Sequence, residues 1–427
     1  MKASSSVSSL AEKISSKLAF TVEGIDDVPS KSLLSVTGSL ADVPQSARRF
    51  FASVSSPAEI LSSKLVSRVE GTEVIEGGYN FVHVLNLETG ESGRPFPFVL
   101  RFPIDPDSIS RWQTCTAVGC MLYCQRHPYL NIPTPAIYTY SCKYGSEFIA
   151  MEYIDGDNLS DVWLDLPEEE QKDVLTQVAE IMRTMRTKTS FKSIGGISPD
   201  GTSCPLVDGI DAAGGRGIVD RLGLYNIGPY ESVREYVQSV FDRQFHYMDQ
   251  MLHKGTLSAH EAEFKKEMSD YLNNLTPEEA FERVKSKRDA FMAHPYDCEY
   301  PFVLRHGDLH GRNVVVSRTS PRRILAILDW DFGGSHALPL ADQGFEVSSP
   351  DEDENTDVRV QQGEKIHRAQ LLLDELSGEL HYDSQLMTLV VSTRLYVLDG
   401  EASTVRGNDD VASVCADSNV HPVDAAV

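Results

Sequence analysis

The chain has 427 residues, 41% of them apolar, and a formal charge of −24, so it can bury the cores of two or three domains or of one two-lobed protein with insertions. That much negative charge excludes a general affinity for nucleic acid or for anionic membrane surfaces, and mostly serves solubility. Seven cysteines without a C-x-x-C pair, and no apolar run of membrane-spanning length, point to a reduced, cytoplasmic protein.

The first twenty residues are Ser-rich, lack the apolar block of a secretory signal and contain Glu12 but no Arg. Residues 1–60 are therefore expected to be a partly flexible lead-in. From Val66 to Pro103 the pattern is β-like, with the Gly77-Gly78 pair between strands and turn chemistry over Glu88–Gly93. Residues 108–127 fit one amphipathic helix. "IPTPAIYTYS" and "SEFIAMEYI" then read as two strands separated by Lys143–Gly145. Residues 61–153 thus make a small, mostly antiparallel sheet with one long helix.

Residues 168–189 follow a proline, open with acids and close with basic residues, as a helix should. Met182 and Met185, three apart, belong to its core face. Residues 191–230 are Gly-rich and irregular, a long loop or insertion. Helical patterns return at 231–253, 257–274 and 277–291, and again at 363–379 and 384–398 after a solvated acidic loop at 351–357. The span 154–400 is thus mainly helical, and the tail 401–427 has little to bury and is expected to be disordered.

Two stretches break this pattern: "LRHGDLHGRNVVV" at 304–316 and "ILAILDWDFGG" at 324–334. Acids and an amide stand against apolar runs, where burial without partners is costly. The runs around the Ser-Pro turn between them form a β-hairpin. Folding that hairpin about Pro321 sets Asn313 opposite Asp329 at its open end, an amide oxygen and a carboxylate suited to Mg²⁺. Asp308, five residues before Asn313, lies where the chain can curl back toward the same spot. One acid plus such a pair is a minimal set for moving a phosphoryl group, which needs chiefly positioning and charge neutralisation.

H-x-D-x-x-x-x-N followed by D-x-D-F-G resembles the catalytic signature of the protein-kinase-like superfamily, and is most similar to its aminoglycoside phosphotransferase and choline kinase branch. "GGYNFVHVL", "FVLRFP", "IPTPAIYTYS", "FIAMEYIDGDNL" and "PLAD" resemble further stretches of that family, in order, over roughly residues 65–345. The resemblance implies an α+β, two-lobed fold: a small antiparallel β N-lobe over 61–153 and a larger, mainly helical C-lobe holding the catalytic hairpin at 304–334. It implies ATP and Mg²⁺ as cofactors, and a hydroxyl of a small molecule, cationic in one reading, as acceptor. Asp308 would be the base, Asn313 and Asp329 the metal ligands, and Gly77, Gly78 and Asn80 the loop over the phosphates. Glu152, Tyr153 and Ile154 would form the adenine-pairing hinge, with Arg101 as the cation on the phosphates.

Two features depart from that pattern. Arg101 stands where Lys is usual, and a guanidinium is a flat fork rather than a point charge. The helix carboxylate that should orient this cation is absent: the best register places Ala117 there, and residues 111–128 contain no acid. The cation then has a different anchoring acid, binds nucleotide differently, or serves a kinase-fold binding protein with weak or no transfer, or a non-kinase activity on a specialised metabolite. "HGDLH" as a metallohydrolase fragment would need further ligands from elsewhere. Beside these sharper readings, His306 is expected to be a structural support under the loop. Trp330 and Asp331 are expected to be structural too, with Asp331 alternatively a second metal contact. His310 and Arg312 divide between solvent-facing loop and phosphate or acceptor contacts.

Overall fold

The structure is a computed structural model that describes residues 43–72, 74–76, 79–90, 94–104, 110, 112–207, 226–242 and 300–341, with scattered positions at 279–293 and 345–376. The expectations for residues 1–42, for most of the helices from 243 to 398 and for the tail 401–427 lie outside the described residues.

The described chain is a mixed α+β structure whose N-terminal part is an antiparallel sheet. β1 (Val66–Arg68) and β2 (Ile75–Glu76) both pair with β3 (Asn80–Leu87). β4 (Phe96–Pro103) pairs with β3 along its whole length, then with β6 (Phe148–Glu152), which also takes β5 (Ile137–Ser141). Alternation along β4 sends Phe98 and Leu100 to one face and Arg101 to the other. The first face is closed by α1 (Gln45–Ser53), whose Ala47 and Phe51 lie one turn apart on its buried side. Phe51 stacks on Tyr138 with ring centroids 5.0 Å apart and meets Phe98 edge-on at 5.2 Å. Burying such a ring stabilises by roughly 1.5–3 kcal/mol, so part of the expected lead-in belongs to the sheet's core.

The other face holds α2 (Gln113–Arg126), buried from Gln113 through Leu122 and again at Cys124. The amphipathic helix expected over 108–127 is corrected to an enclosed helix beginning at Gln113. Its small residues let neighbours close in on every side. At Gly119 a Cβ would sit 1.8 Å from the Ile197 carbonyl oxygen, so only glycine admits that backbone. A second core joins this helix to α3 (Glu168–Thr187), which contributes Val174, Val178, Ile181, Met182 and Met185 at helical spacing.

Three short ladders carry the remaining strands. β7 (Asp157–Asn158) pairs with β11 (Val314–Val316), which pairs with β12 (Ile324–Ile327), the expected hairpin. β8 (Gly196–Ile197) pairs with β9 (Ser203–Cys204), and β10 (Phe302–Arg305) with β13 (Gly334–Ala337). Residues 191–207, read as the start of a loop, are irregular but largely buried: Gly195 and Ser335 exchange backbone hydrogen bonds of 3.0 and 2.8 Å. Among the described residues no helix is long and apolar enough to cross a membrane.

Candidate active site

The loop after β10 is held from beneath by His306, which is buried against Trp330 with ring centroids 4.5 Å apart. One ring nitrogen, Nδ1, lies 3.3 Å from the Asp308 amide, and Nε2 lies 2.8 Å from the Leu328 carbonyl oxygen. An amide N–H only donates and a carbonyl only accepts, so His306 is the neutral tautomer protonated on Nε2. Burial holds it neutral and pushes its pKa down to about 4; the Leu328 carbonyl, Asp308 and Asp331 oppose this, and His310 adds to it. An unfolded histidine titrates near 6.5. Between about pH 6.5 and about pH 4 the unfolded chain therefore takes up a proton that the folded chain refuses, and stability falls as the pH drops through that window. The full effect is roughly 3 kcal/mol. Urea unfolding at about pH 7.5 and about pH 5 should show a smaller loss for His306→Asn than for the parent protein. An equal loss would exclude His306 as its source.

Asp308 follows directly. Its carbonyl accepts from Asn313 Nδ2 at 2.8 Å, which closes the loop, and its side chain is 41% exposed. His310 Nε2 lies 3.4 Å from the carboxylate, and this contact, against a burial penalty, holds Asp308 below the usual carboxylate range. His310 therefore belongs to the site. Arg312 is exposed, and its backbone carbonyl accepts from Asn158 Nδ2 at 2.6 Å.

The hairpin register differs from expectation by one residue. Val314 pairs with Ile327, and the Leu328 amide donates to the Asn313 carbonyl at 2.8 Å, so Asn313 stands opposite Leu328 rather than Asp329. The turn itself is centred one residue early, on Ser320, as the pair Val316–Ile324 shows, and a bulge that leaves Leu325 without a partner restores only half of that offset. Asp329 is the next residue out, with φ +58. Such a left-handed conformation costs a non-glycine residue about 1–2 kcal/mol and is typical of functional turns.

Beyond the turn, Asp329 meets Arg101, with Oδ1 3.1 Å from Nη2. Its side chain keeps 43% exposure at the cleft. The surrounding protein raises its pKa to about 6, burial first and the Asp331 charge second, against the pull of Arg101. Asp331, two residues on, is 2% exposed. Its Oδ2 accepts from Arg101 Nη2, from Gln113 Nε2 at 2.6 Å and from Asn80 Nδ2 at 3.2 Å. Arg101 is itself 9% exposed; burial disfavours its charge, but Asp331 and then Asp329 more than offset this, and its pKa is raised. The helix residue turned toward this cluster is thus Gln113, not Ala117 one turn further on. Enclosure of α2 on all sides left no apolar stripe from which its facing side could be read.

These donors suit Mg²⁺. Asn313 commits its amide nitrogen to Asp308, which leaves Oδ1 as the acceptor, and Asp329 supplies a partly open carboxylate. Asp331 Oδ1 and Gln113 Oε1 are buried without a partner among the described residues, so oxygen capacity remains nearby. A zinc site would need more ligands; no group of three or more His, Cys, Asp or Glu able to hold a metal occurs among the described residues.

Of the other predicted positions, Gly77 and Gly78 lie outside the described residues. Asn80 is described, and turns its amide to Asp331 rather than to open space. Glu152 pairs with Ala136 twice: its amide donates to the Ala136 carbonyl at 2.8 Å, and its carboxylate accepts from the Ala136 amide at 3.0 Å. Tyr153 and Ile154 follow outside the strand, partly buried.

Residues 73–342, more than half of the chain, match the model of a family described as the phosphotransferase enzyme family. The chain belongs to that family. Two subtelomeric hrmA-associated cluster proteins from two strains of Aspergillus fumigatus are each 30% identical over 115 residues, which is 26% of this chain and 21% of theirs. The match thus spans about a fifth of the length of these curated relatives. Among solved structures, the chain is similar to the GDP and kanamycin complex of APH(2")-IIia, at 15% identity, TM-score 0.37, and 82% and 86% coverage of this chain and that one. It is also similar to the streptomycin-ATP-APH(2")-IIa ternary complex, at 13% identity, TM-score 0.38, and 77% and 95% coverage. For an ethanolamine kinase of Plasmodium vivax the values are 12% identity, TM-score 0.35, and 77% and 80% coverage.

Proposed function

We propose that the chain transfers the terminal phosphoryl group of ATP to a hydroxyl of a small molecule. Residues 61–153 would bind the nucleotide and 154–400 carry the chemistry. The observation that supports this best is the convergence, from segments far apart in sequence, of two comparably exposed carboxylates (Asp308, which is ionised, and Asp329) and a buried cation (Arg101). Asp308 accepts the acceptor's proton as the new O–P bond forms and the bond from the terminal phosphorus to the bridging oxygen breaks, which releases ADP. Arg101 meets the phosphate oxygens, and Asn313 and Asp329 hold Mg²⁺, which when bound neutralises phosphate charge. The backbone from Glu152 to Ile154, apart from the Glu152 amide already held by Ala136, pairs with the base.

An amine-bearing acceptor accords with the formal charge of −24. The described cysteines are unpaired and buried, as suits a reducing, cytoplasmic setting. A second reading, a binding protein without turnover, draws on Arg101, whose charge is already met by two acids. Thermal unfolding with millimolar Mg-ATP or Mg-GTP, beside nucleotide-consumption assays over amino alcohols and aminoglycosides, separates the two. A nucleotide-dependent rise in unfolding temperature is expected, together with consumption that depends on one acceptor class. A rise without consumption across the panel favours the binding protein, and no rise with either nucleotide removes both readings.

A further inference from the structure

The carboxylate missing from α2 is replaced from the other side of the cleft. We propose that Asp331 is the positioning residue for Arg101, setting the guanidinium's place beside Asp329 in the role for which the family pattern uses a helix acid. As a statement about phosphate binding, this rests on the phosphotransferase reading above.

Three donors converge on one oxygen of Asp331: Arg101 from β4, Gln113 from the first turn of α2 and Asn80 from the start of β3. A buried carboxylate is costly unless it is paired and hydrogen-bonded, and this one has a buried cation and two amides. The amides also hold the carboxylate still, since Gln113 and Asn80 approach the oxygen that Arg101 uses. Removing Asp331 would leave Arg101 buried with Asp329 as its remaining acid partner among the described residues, the residue proposed as a metal ligand. One turn of chain, 329 to 331, would then set the spacing between that metal ligand and the phosphate-facing cation. α2 would contribute only an uncharged donor.

The chemistry offers a direct test, because Gln113 already touches the Asp331 oxygen at 2.6 Å. Moving the acid across that contact, in the double substitution Gln113→Glu with Asp331→Asn, returns a carboxylate to the helix within reach of the same cluster. Calorimetric titration with Mg-ADP should show Asp331→Asn losing about tenfold or more in affinity, the scale of one charge-assisted contact. The relocated acid should recover most of that loss. Unchanged ADP affinity in a folded Asp331→Asn protein would overturn the proposal, as would recovery of thermal stability without recovery of affinity.

A nucleotide-free cycle keeps the anchor separate from the function. Arg101→Met and Asp331→Asn should each lower the unfolding temperature, with the double variant close to the worse single one rather than at their sum. Additive shifts would overturn the pairing. If the parent protein binds no nucleotide while the cycle shows coupling, the phosphotransferase reading fails and the Arg101 anchor stands.

Discussion

Asp308→Asn is expected to lower acceptor-dependent nucleotide consumption by roughly 10²–10⁴-fold, the range over which a positioned acid or base acts, with ADP affinity within about threefold of the parent protein. The substitution keeps the side-chain shape and removes only the charge and the proton-accepting oxygen. The contacts that shape the loop survive, because they use backbone: the Asp308 amide to His306 Nδ1, and its carbonyl to Asn313 Nδ2. Asp308, held below the usual carboxylate range chiefly by His310, is ionised at neutral pH and so has an oxygen open to a proton. Paired measurement of initial rates and of ADP binding checks this. Full activity in the variant would remove Asp308 as the base, and a parallel loss of ADP affinity would give it a binding role instead.

Gly307→Ala should be among the most damaging single methyls in the site, at about 3–5 kcal/mol of stability or an outright displacement of the loop. Gly307 has φ +88, where an L side chain is strained, and its Cβ would lie 2.0 Å from the Phe332 carbonyl oxygen. The two sequence motifs are packed backbone to backbone at that point, so neither can give way cheaply. Gly145→Ala is the matched control, with φ +75 and nothing within 4 Å of the added carbon. It carries the conformational cost alone, about 1–2 kcal/mol. Urea denaturation of both variants isolates the collision by difference. Equal losses would mean that the motifs do not press on each other at Gly307.

Much of this site is written in local sequence. The hairpin of β11 and β12 follows from two β-branched or apolar runs about a Ser-Pro turn, and α3 from its acid-first, base-last helix. The motifs that family membership accounts for were visible as acids and an amide beside apolar runs. Exact pairing was less visible. Asn313 was expected opposite Asp329, but a symmetric hairpin takes no account of a bulge at Leu325 or a left-handed residue at Asp329. Both depend on what the strand ends must reach in three dimensions.

α1 shows the same limit from the other direction. Phe51 reads as one of a few apolar residues in a Ser-rich lead-in until Tyr138 and Phe98, far along the chain, form the surface that buries it. By itself the sequence determined the element types, the hairpin and the identity of Asp308, Asn313 and Asp329 as candidates, because periodicity and turn chemistry act over a few residues. Tertiary structure alone decided what holds Arg101. Arg101 and Asp331 are 230 residues apart, and Gln113 and Asp331 218 apart. No local pattern signals such a pair; it exists because folding carries β4, α2 and the turn after β12 into one desolvated place where a buried cation must find its acid.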